Sequence, residues 1–204
     1  MNNLVSIKKL IEFHDGAIKE SFAGNKESIQ KDNLWTLIEN NHYFNWMLWN
    51  EEDLARRVNV EASEIMKNKR AIDGYNQKRN DAIEQIDNEI LSQLRHINLN
   101  EFARLNSETA GSMMDRLSIL SLKLNATSLQ TKRDNVTSSH IDVCLHRLKV
   151  LTEQRSDLLC CLDNLLQEYL EGKSYFKVYR QYKMYNDPAF NVYIESSLQN
   201  LSSN

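Results

Sequence analysis

Apolar residues recur every three or four positions along most of this sequence, which is the spacing that places them on one face of an α-helix. The longest such pattern covers about residues 139–171 and has the heptad spacing of a packed helix. Four further segments with this periodicity lie at about residues 3–23, 32–58, 62–97 and 112–130. The pattern predicts an all-α fold: an antiparallel bundle of about five long helices in one domain spanning residues 1–204.

Capping and helix-breaking residues predict where several of these helices begin and end. Ser112 and Asp115 have the spacing of a capping box, so the fourth helix is expected to begin at Ser112. Gly172 is expected to end the fifth helix, because glycine readily adopts the left-handed conformation found after helix ends. The chain beyond Gly172 predicts a short C-terminal helix or loop, closed by a turn at residues 186–188.

Composition and charge narrow the class of protein. Only five Gly and one Pro occur in 204 residues, which argues against a turn-rich β architecture. The net charge of −3 argues against general nucleic-acid binding, because such proteins carry a strong basic excess. No apolar run approaches the roughly 18 residues of a membrane-spanning helix, and the first residues lack the apolar core of a signal peptide. The three Cys lie within helical patterns, so we expect a reduced, cytoplasmic protein.

Polar and charged residues interrupt the apolar seams of three predicted helices, the second, third and fifth. An unpaired ion in such a seam is costly, so these residues need partners, and the nearest carboxylates by helix face are Glu52, Asp53, Asp73 and Asp115. The candidate ligand-binding residues of the seams are His42, Asn45, Arg56, Asn76, Arg79 and Arg155, and the candidate catalytic acids or bases are Glu52, Asp53 and Asp115.

Two interpretations of these seam residues stay open. They could line a pocket between helices two, three and five, in which guanidinium groups hold a small polar or anionic ligand. They could instead form a structural hydrogen-bond network that fixes how the helices align. The polar residues on facing seams outnumber what alignment alone requires, and this excess motivates the pocket hypothesis.

A basic and aromatic segment follows the fifth helix, at residues 173–185. Lysine and arginine recur there at three- and four-residue spacing, with tyrosines between them. Arg180 and Lys183 are candidate ligands for a phosphate, and the tyrosine rings could stack on a base or a sugar. Alternatively, the tyrosines pack on the bundle while the cations are solvated.

Two pairs of carboxylates have the spacing of successive helical turns, Glu61 with Glu64 and Glu84 with Asp87. All-α nucleotide pyrophosphohydrolases hold Mg²⁺ against a triphosphate with similar pairs, which makes Glu84 and Asp87 candidate metal ligands under this alternative. Acids near a helix start are also favoured by the helix dipole, so we otherwise expect no metal and no cofactor. His14 lies on an apolar face, where a hydrogen-bonded core histidine is expected.

Four strings, in order and over nearly the whole chain, are HYFNWMLWNEEDLARR at 42–57, KRAIDGYNQKRNDAIEQID at 69–87, SETAGSMMDRLSIL at 107–120 and YRQYKMYNDP at 179–188. Together they resemble a bacterial family known as domain of unknown function 4254. The resemblance implies a bacterial protein of about this length without an established activity, whose genes often lie beside glycosyltransferases of lipopolysaccharide or capsule synthesis. Many members carry a His soon after the DRLSIL-type string, where this sequence has LNA at 124–126.

Three functional hypotheses follow. The first is an accessory or enzyme of lipopolysaccharide or capsule synthesis that binds a sugar phosphate or nucleotide sugar, with Arg56, Arg79 and Arg180 at the phosphates. The second is a Mg²⁺-dependent nucleotide pyrophosphohydrolase. The third is a non-catalytic homodimer or partner of a glycosyltransferase, with Trp46 or the tyrosines exposed as an apolar patch. Whether any reaction is catalysed stays open, because no P-loop, HExxH or GxSxG motif is present.

Overall fold

A computed structural model describes residues 5–19, 34–180 and 189–191 of the chain. Within these residues the chain forms five α-helices, so the prediction of an all-α fold is confirmed. None of these helices is long and apolar enough to cross a membrane. The helices are α1 (Ile7–Lys19), α2 (Leu34–Leu54), α3 (Ala62–Leu94), α4 (Ala110–Gln130) and α5 (Ser138–Leu170).

Consecutive long helices of the bundle run in opposite directions. α2 packs along α3, and α4 packs along α5, and each pair is joined by a short connection, at residues 55–61 and 131–137. Between the two pairs, Arg79 and Asp87 of α3 lie beside Asp115 and Gly111 of α4. Residue numbers therefore fall along α3 as they rise along α4, and α3 is antiparallel to α4 as well.

α4 lies at the centre of this arrangement, because it contacts all four other helices. Most of residues 110–122 are buried, since this stretch is apolar on more than one face and has small residues where its neighbours approach. Each fully buried Leu or Ile in the surrounding core contributes about 1.5–3 kcal/mol to stability. The largest fully buried apolar side chains are Leu10, Ile38, Ile86, Ile90, Leu94, Met114, Leu117 and Leu162.

The start of α4 differs from the prediction. Thr109 is the N-cap residue, and its Oγ1 accepts a hydrogen bond from the backbone N–H of Ser112 at 3.1 Å. The predicted capping box of Ser112 and Asp115 is therefore wrong. Threonine and serine are both good N-caps, but here Ser112 lies in the first turn of the helix while Asp115 is buried inside the bundle.

The other helix ends follow the prediction more closely. Thr137 caps α5, and Gly172, with a φ of 71°, follows the last turn of α5 as predicted. α2 and α3 end a few residues earlier than predicted, at Leu54 and Leu94. The first helix begins at Ile7, later than the predicted residue 3, because residues 5 and 6 are not helical, and its predicted end at residues 20–23 lies outside the described residues.

A short parallel β-pair, which the sequence did not predict, joins two loops at one end of the bundle. β1 (Arg104–Leu105) pairs with β2 (Ser174–Tyr175), and Arg104 lies opposite Ser174. The described part of the basic and aromatic segment is therefore extended chain and loop up to Arg180, so its cations do not share a helix face. The turn predicted at 186–188 lies outside the described residues.

Candidate functional site

A solvent-connected groove of about 280 Å³ lies between α2, α3 and α4. Five of the candidate residues predicted from the sequence line it, together with Trp49 and an apolar base from α4. The structure therefore gathers most of the candidates of helices two and three at one place. These five residues are Asn45, Glu52, Asp53, Arg56 and Arg79.

Helical spacing explains why α2 supplies most of this groove. Asn45, Trp49 and Glu52 are three or four residues apart, so they line one face of the last turns of α2, and Arg56 follows in the turn after the helix. Arg79 faces them from α3. The predicted pocket between helices two, three and five is corrected in one respect: its third wall is α4, because α4 occupies the centre of the bundle and separates α5 from this groove.

An exposed ion pair lies at the rim of the groove. Arg56 Nη1 donates to Glu52 Oε2 at 2.7 Å, one helical turn away. The Arg56 side chain is 68% exposed, and such pairs contribute only about 0.3–0.5 kcal/mol. Arg56 can therefore exchange its carboxylate partner for a bound anion at little cost. Asp53 is also exposed at this rim.

Arg79 lies deeper in the groove, and its side chain is 28% exposed. Its Nε lies 3.9 Å from Asp115 Oδ1, which is too long for a hydrogen bond. That Nε is buried and has no hydrogen-bond partner, and no hydrogen bond joins the guanidinium to any residue of the described ranges. Arg79 is therefore a partly exposed cation of the groove whose guanidinium makes no hydrogen bond to the described residues.

Two asparagine amides of α2 also bind the Asp115 carboxylate that lies beside Arg79. Asn41 Nδ2 donates to Asp115 Oδ1 at 2.9 Å, and Asn45 Nδ2 donates to the same oxygen at 2.8 Å. Asp115 is 6% exposed. Asp115, which the sequence presented as a candidate acid or base, is therefore held inside the bundle beside Arg79.

Asn45 also begins a chain of hydrogen bonds that leads away from the groove to α1. Its Nδ2 donates to Ser118 Oγ at 3.0 Å, and Ser118 Oγ lies 2.7 Å from His42 Nδ1. His42 Nε2 lies 3.1 Å from the backbone oxygen of His14. A carbonyl oxygen only accepts, so Nε2 carries the proton, Nδ1 accepts, and the Ser118 hydroxyl donates to it. We call Asn41, His42, Asn45, Asp115 and Ser118 the central network.

Both histidines near this network are held neutral. Burial lowers the pKa of His42 to about 4, although its hydrogen bond to the His14 backbone raises it. Burial, then the nearby His42 and Arg155, lower the pKa of His14 well below its ordinary value. His14 was expected to be a hydrogen-bonded core histidine. It is buried, but neither ring nitrogen has a hydrogen-bond partner.

A second buried polar group, which we call the helix-start cluster, consists of Asp87, Thr109 and Gly111 where α4 begins. Asp87 Oδ1 accepts the backbone N–H of Gly111 at 2.6 Å, and a carboxylate is favoured at a helix N-terminus. Burial raises the Asp87 pKa to about 6, although hydrogen bonds from Thr109 and Gly111 lower it. A cavity of about 90 Å³ lies beside the cluster, with Glu84 in its wall.

This geometry does not favour the metal alternative. That hypothesis requires Glu84 and Asp87 to face Glu52 or Glu61, but Asp87 is bound to the backbone of α4 and Glu61 is exposed before α3. Across residues 5–19, 34–180 and 189–191, no three His, Cys, Asp or Glu side chains come together as metal ligands would.

Arg155 lies away from the groove. Its Nη1 donates to Asp15 Oδ1 at 2.8 Å and to Ser121 Oγ at 3.4 Å, in a partly buried contact that ties α5 to α1 and α4. None of the carboxylates predicted as its partner is the one it uses. Asn76, although partly buried on α3, does not line the groove either.

The C-terminal candidates are not brought to the groove within the described residues. Arg180 is exposed and does not line it. Its neighbour Tyr179 lies instead at the small cavity beside the helix-start cluster. Lys183 lies outside the described residues. Trp46, proposed as part of an exposed patch, is half-buried and packs in a small apolar cluster with Ile18 and other residues.

Sequence reasoning missed Asn41 and Ser118. Each lies three or four residues from a polar residue that it did identify, Asn45 and Asp115 respectively. The signal was therefore present: paired small polar residues on the same helix face, within an otherwise apolar helix. Ser118 is fully buried, so its hydroxyl serves the central network and does not reach the groove.

The fold and the site define a helical-bundle protein with a buried polar network that opens into a charged groove. A family model described as "Protein of unknown function (DUF4254)" matches residues 35–178, more than half of the chain. The chain therefore belongs to this family, as the sequence resemblance predicted. The match contains the whole groove and excludes α1. No curated protein and no solved structure matches the chain.

Proposed function

We propose that this chain binds a small phosphorylated sugar, free or as part of a nucleotide sugar, in the groove between α2, α3 and α4. One observation carries the proposal. Arg79 places a guanidinium in a concave, solvent-connected site without a hydrogen bond to the described chain. A planar guanidinium with available donors binds a phosphate through two parallel hydrogen bonds. Arg56 at the rim supplies a second cation for the same anion.

The rest of the groove suits the sugar. Trp49 offers an aromatic face on which the apolar side of a pyranose or a base can stack. Glu52 and Asp53 are acceptors for hydroxyl groups, and carboxylates bind neutral hydroxyls more strongly than amides do. The apolar base formed by Ile119 and Leu122 excludes water beneath the ring. The arrangement supports binding and assigns no catalytic step.

Calorimetric titration of the full chain tests this proposal, with glucose 1-phosphate and UDP-glucose against glucose and inorganic phosphate as comparison ligands. We expect both phosphorylated sugars to bind more tightly than glucose. Arg79→Gln should weaken that binding about 10- to 100-fold, since a hydrogen bond to a charged group contributes about 1.5–3 kcal/mol. Arg155→Gln is the matched control, because this arginine is also partly buried but lies away from the groove.

Three results contradict the proposal. One is that none of the phosphorylated sugars binds at millimolar concentration. Another is that Arg79→Gln binds them as well as the unmodified chain does, with thermal denaturation showing that the variant is folded. The third is that Arg155→Gln loses as much affinity as Arg79→Gln, in which case the groove is not the site.

The setting of this binding is a separate proposal that follows from the family resemblance. We propose a bacterial, cytoplasmic accessory or enzyme of lipopolysaccharide or capsule synthesis. A non-catalytic homodimer or partner of a glycosyltransferase, the third hypothesis from the sequence, stays a prediction. Deleting the gene and comparing the surface polysaccharide by gel electrophoresis tests the setting. An unchanged polysaccharide contradicts it without affecting the binding proposal.

A further inference from the structure

We propose that the ligand of the groove is a nucleoside diphosphate sugar, because a second groove adjoins the first at Ile119 and suits a nucleoside. This inference rests on the proposed function, since it extends the same site. The first groove alone measures about 280 Å³, whereas pockets for drug-sized ligands measure about 300–1,000 Å³. The first groove is therefore at the lower limit for a ligand with two ring systems.

The second groove is larger, about 560 Å³, and lies between α4 and α5. Its wall includes Ile119 of α4, which also lines the first groove. The two grooves are therefore neighbours on the surface of α4, and the half-buried Ile119 side chain is the ridge between them. A ligand that lies across this ridge occupies both grooves at once.

One row of residues on α4 leads from the first groove to the second. Asp115, Ile119 and Lys123 are four residues apart, so they follow one another along the same side of the helix. Arg79 lies beside Asp115 at one end of this row, and Lys123 lines the second groove at the other end. The row spans about 12 Å, at a rise of about 1.5 Å per residue. A cation therefore lies on each side of Ile119, which suits the two phosphates of a diphosphate.

The walls of the second groove have the chemistry that a nucleoside requires. Leu120 of α4 and Leu158 of α5 form an apolar floor, on which the flat face of a base can lie. Asp157 of α5 is an exposed carboxylate at the wall, and carboxylates accept hydrogen bonds from ribose hydroxyls. The amide of Gln154 both donates and accepts, as the edge of a base does.

Two further charged residues of the second groove bind each other. Arg116 Nη1 donates to both carboxylate oxygens of Glu108 at 2.7 Å. This ion pair neutralises its own charges, so Lys123 is the cation of this groove that we assign to a phosphate. A lipid chain in the same place would lie against charged and amide side chains from both helices and desolvate them. The second groove therefore favours a polar ligand.

Calorimetric titration of the full chain compares two nucleotide sugars, UDP-glucose and GDP-mannose, with glucose 1-phosphate and mannose 1-phosphate. We expect at least one nucleotide sugar to bind about tenfold more tightly than its sugar 1-phosphate, since one hydrogen bond to a charged group is worth about that factor. Lys123→Gln should remove most of this difference and leave the affinity for the sugar 1-phosphate unchanged. Lys149→Gln, at an exposed lysine of α5 that lines neither groove, is the matched control.

The two exposed cysteines of α5 give a second readout, which reports where the ligand lies. Cys161 lines the second groove, whereas its neighbour Cys160 is exposed but does not line it. Alkylation by N-ethylmaleimide is followed in Cys160→Ser and in Cys161→Ser, each of which keeps one of the two exposed thiols. A saturating nucleotide sugar should slow the alkylation of Cys161 severalfold and leave that of Cys160 unchanged. The sugar 1-phosphate should protect neither thiol.

These measurements separate a failure of this inference from a failure of the proposed function. If the sugar 1-phosphates bind and neither nucleotide sugar binds more tightly, the proposed function stands and the inference is wrong. The inference is also wrong if Lys123→Gln weakens both classes of ligand alike, or if a bound nucleotide sugar does not protect Cys161. If a nucleotide sugar protects Cys161 but binds Arg79→Gln as well as the unmodified chain, it occupies the second groove alone and both proposals are wrong. If no compound binds, the two fall together.

Discussion

The central network and the helix-start cluster are both buried polar groups that include residues of α4. They differ in whether a neighbouring charged group is left without a hydrogen bond. In the helix-start cluster, the Asp87 carboxylate meets a backbone N–H at 2.6 Å, and the bond is closed within the protein. In the central network, two amides bind Asp115 Oδ1, and Arg79, which lies beside Asp115, makes no hydrogen bond to the described residues. A buried polar group that is fully hydrogen-bonded within the protein indicates a structural role. A polar network beside a cation that has no hydrogen bond at a concave surface indicates a binding role.

The largest expected effect is at the acceptor that the central network shares. Asp115→Ala should lower the free energy of unfolding by about 3 kcal/mol, because two buried amides and Arg79 lose their partner together. Urea denaturation measures this change. Asp73→Ala, at an exposed carboxylate of α3, should stay within about 0.5 kcal/mol. If both variants lose the same free energy of unfolding, Asp115 stabilises the fold no more than an exposed carboxylate does, and its assignment to the central network is wrong.

The two regions should also respond to pH with opposite sign. The pKa of His42 is lowered to about 4, so its contribution to stability is full above the ordinary value of 6.5 and is lost as pH falls towards 4. The pKa of Asp87 is raised from 3.8 to about 6, so its contribution is full below 3.8 and is lost as pH rises through 6. Each shift corresponds to about 3 kcal/mol over its window.

Urea denaturation from pH 4.5 to 7 separates these contributions. In the unmodified chain the contributions of His42 and Asp87 change with pH in opposite directions. Together these two groups should therefore add little to the slope of the free energy of unfolding against pH. His42→Gln should make the slope more negative with rising pH, and Asp87→Asn should make it more positive. Slopes that change in the same direction would show that one of the two assignments is wrong.

A tighter test of the helix-start cluster uses glycine. A Cβ on Gly111 would lie 2.7 Å from the backbone oxygen of Ile83 and 2.9 Å from the Asp87 carboxylate. Gly111→Ala should therefore separate α3 from α4 and cost about 2 kcal/mol, as overpacking typically does. Gly74→Ala is the matched control on α3, since nothing lies within 4 Å of its Cβ. It should gain up to about 1 kcal/mol from helix propensity.

The smallest expected effect on stability is at the rim of the groove. Arg56→Gln removes an exposed ion pair, so the free energy of unfolding should change by less than about 0.5 kcal/mol. Its affinity for glucose 1-phosphate should nevertheless fall severalfold, because Arg56 supplies the second cation. Calorimetry and urea denaturation on the same variant measure both. A loss of stability without a loss of affinity would place Arg56 among structural residues.

Helices were predictable from local patterns, and their exact starts were less so. α5 lies at Ser138–Leu170, within one residue of the bounds predicted from its heptads. The N-cap of α4 is Thr109 instead of Ser112, although both residues can cap a helix. The choice depends on Asp87, which reaches the N–H of Gly111 from another helix. No pattern within the α4 segment contains that information.

The candidate site was predictable where polar residues stand in an apolar seam. Arg79 and Arg155 gave the same signal in the sequence, since each interrupts an apolar row. One lies in the groove and the other is bound to Asp15 of α1. The two arginines differ in the helices that they face, because α4 lies between Arg155 and the groove. Residue spacing along one helix does not predict which helix it will face.

The sequence by itself determined the all-α class, the extent of the long helices and the family, because these depend on residue spacing and motifs read along the chain. It also marked the polar residues that a core has to accommodate. Only the tertiary structure decided that α4 is central, that Asp115 is held by Asn41 and Asn45, and that the buried Nε of Arg79 has no hydrogen-bond partner. Those outcomes depend on which faces meet, and a periodic pattern defines a face without defining its partner.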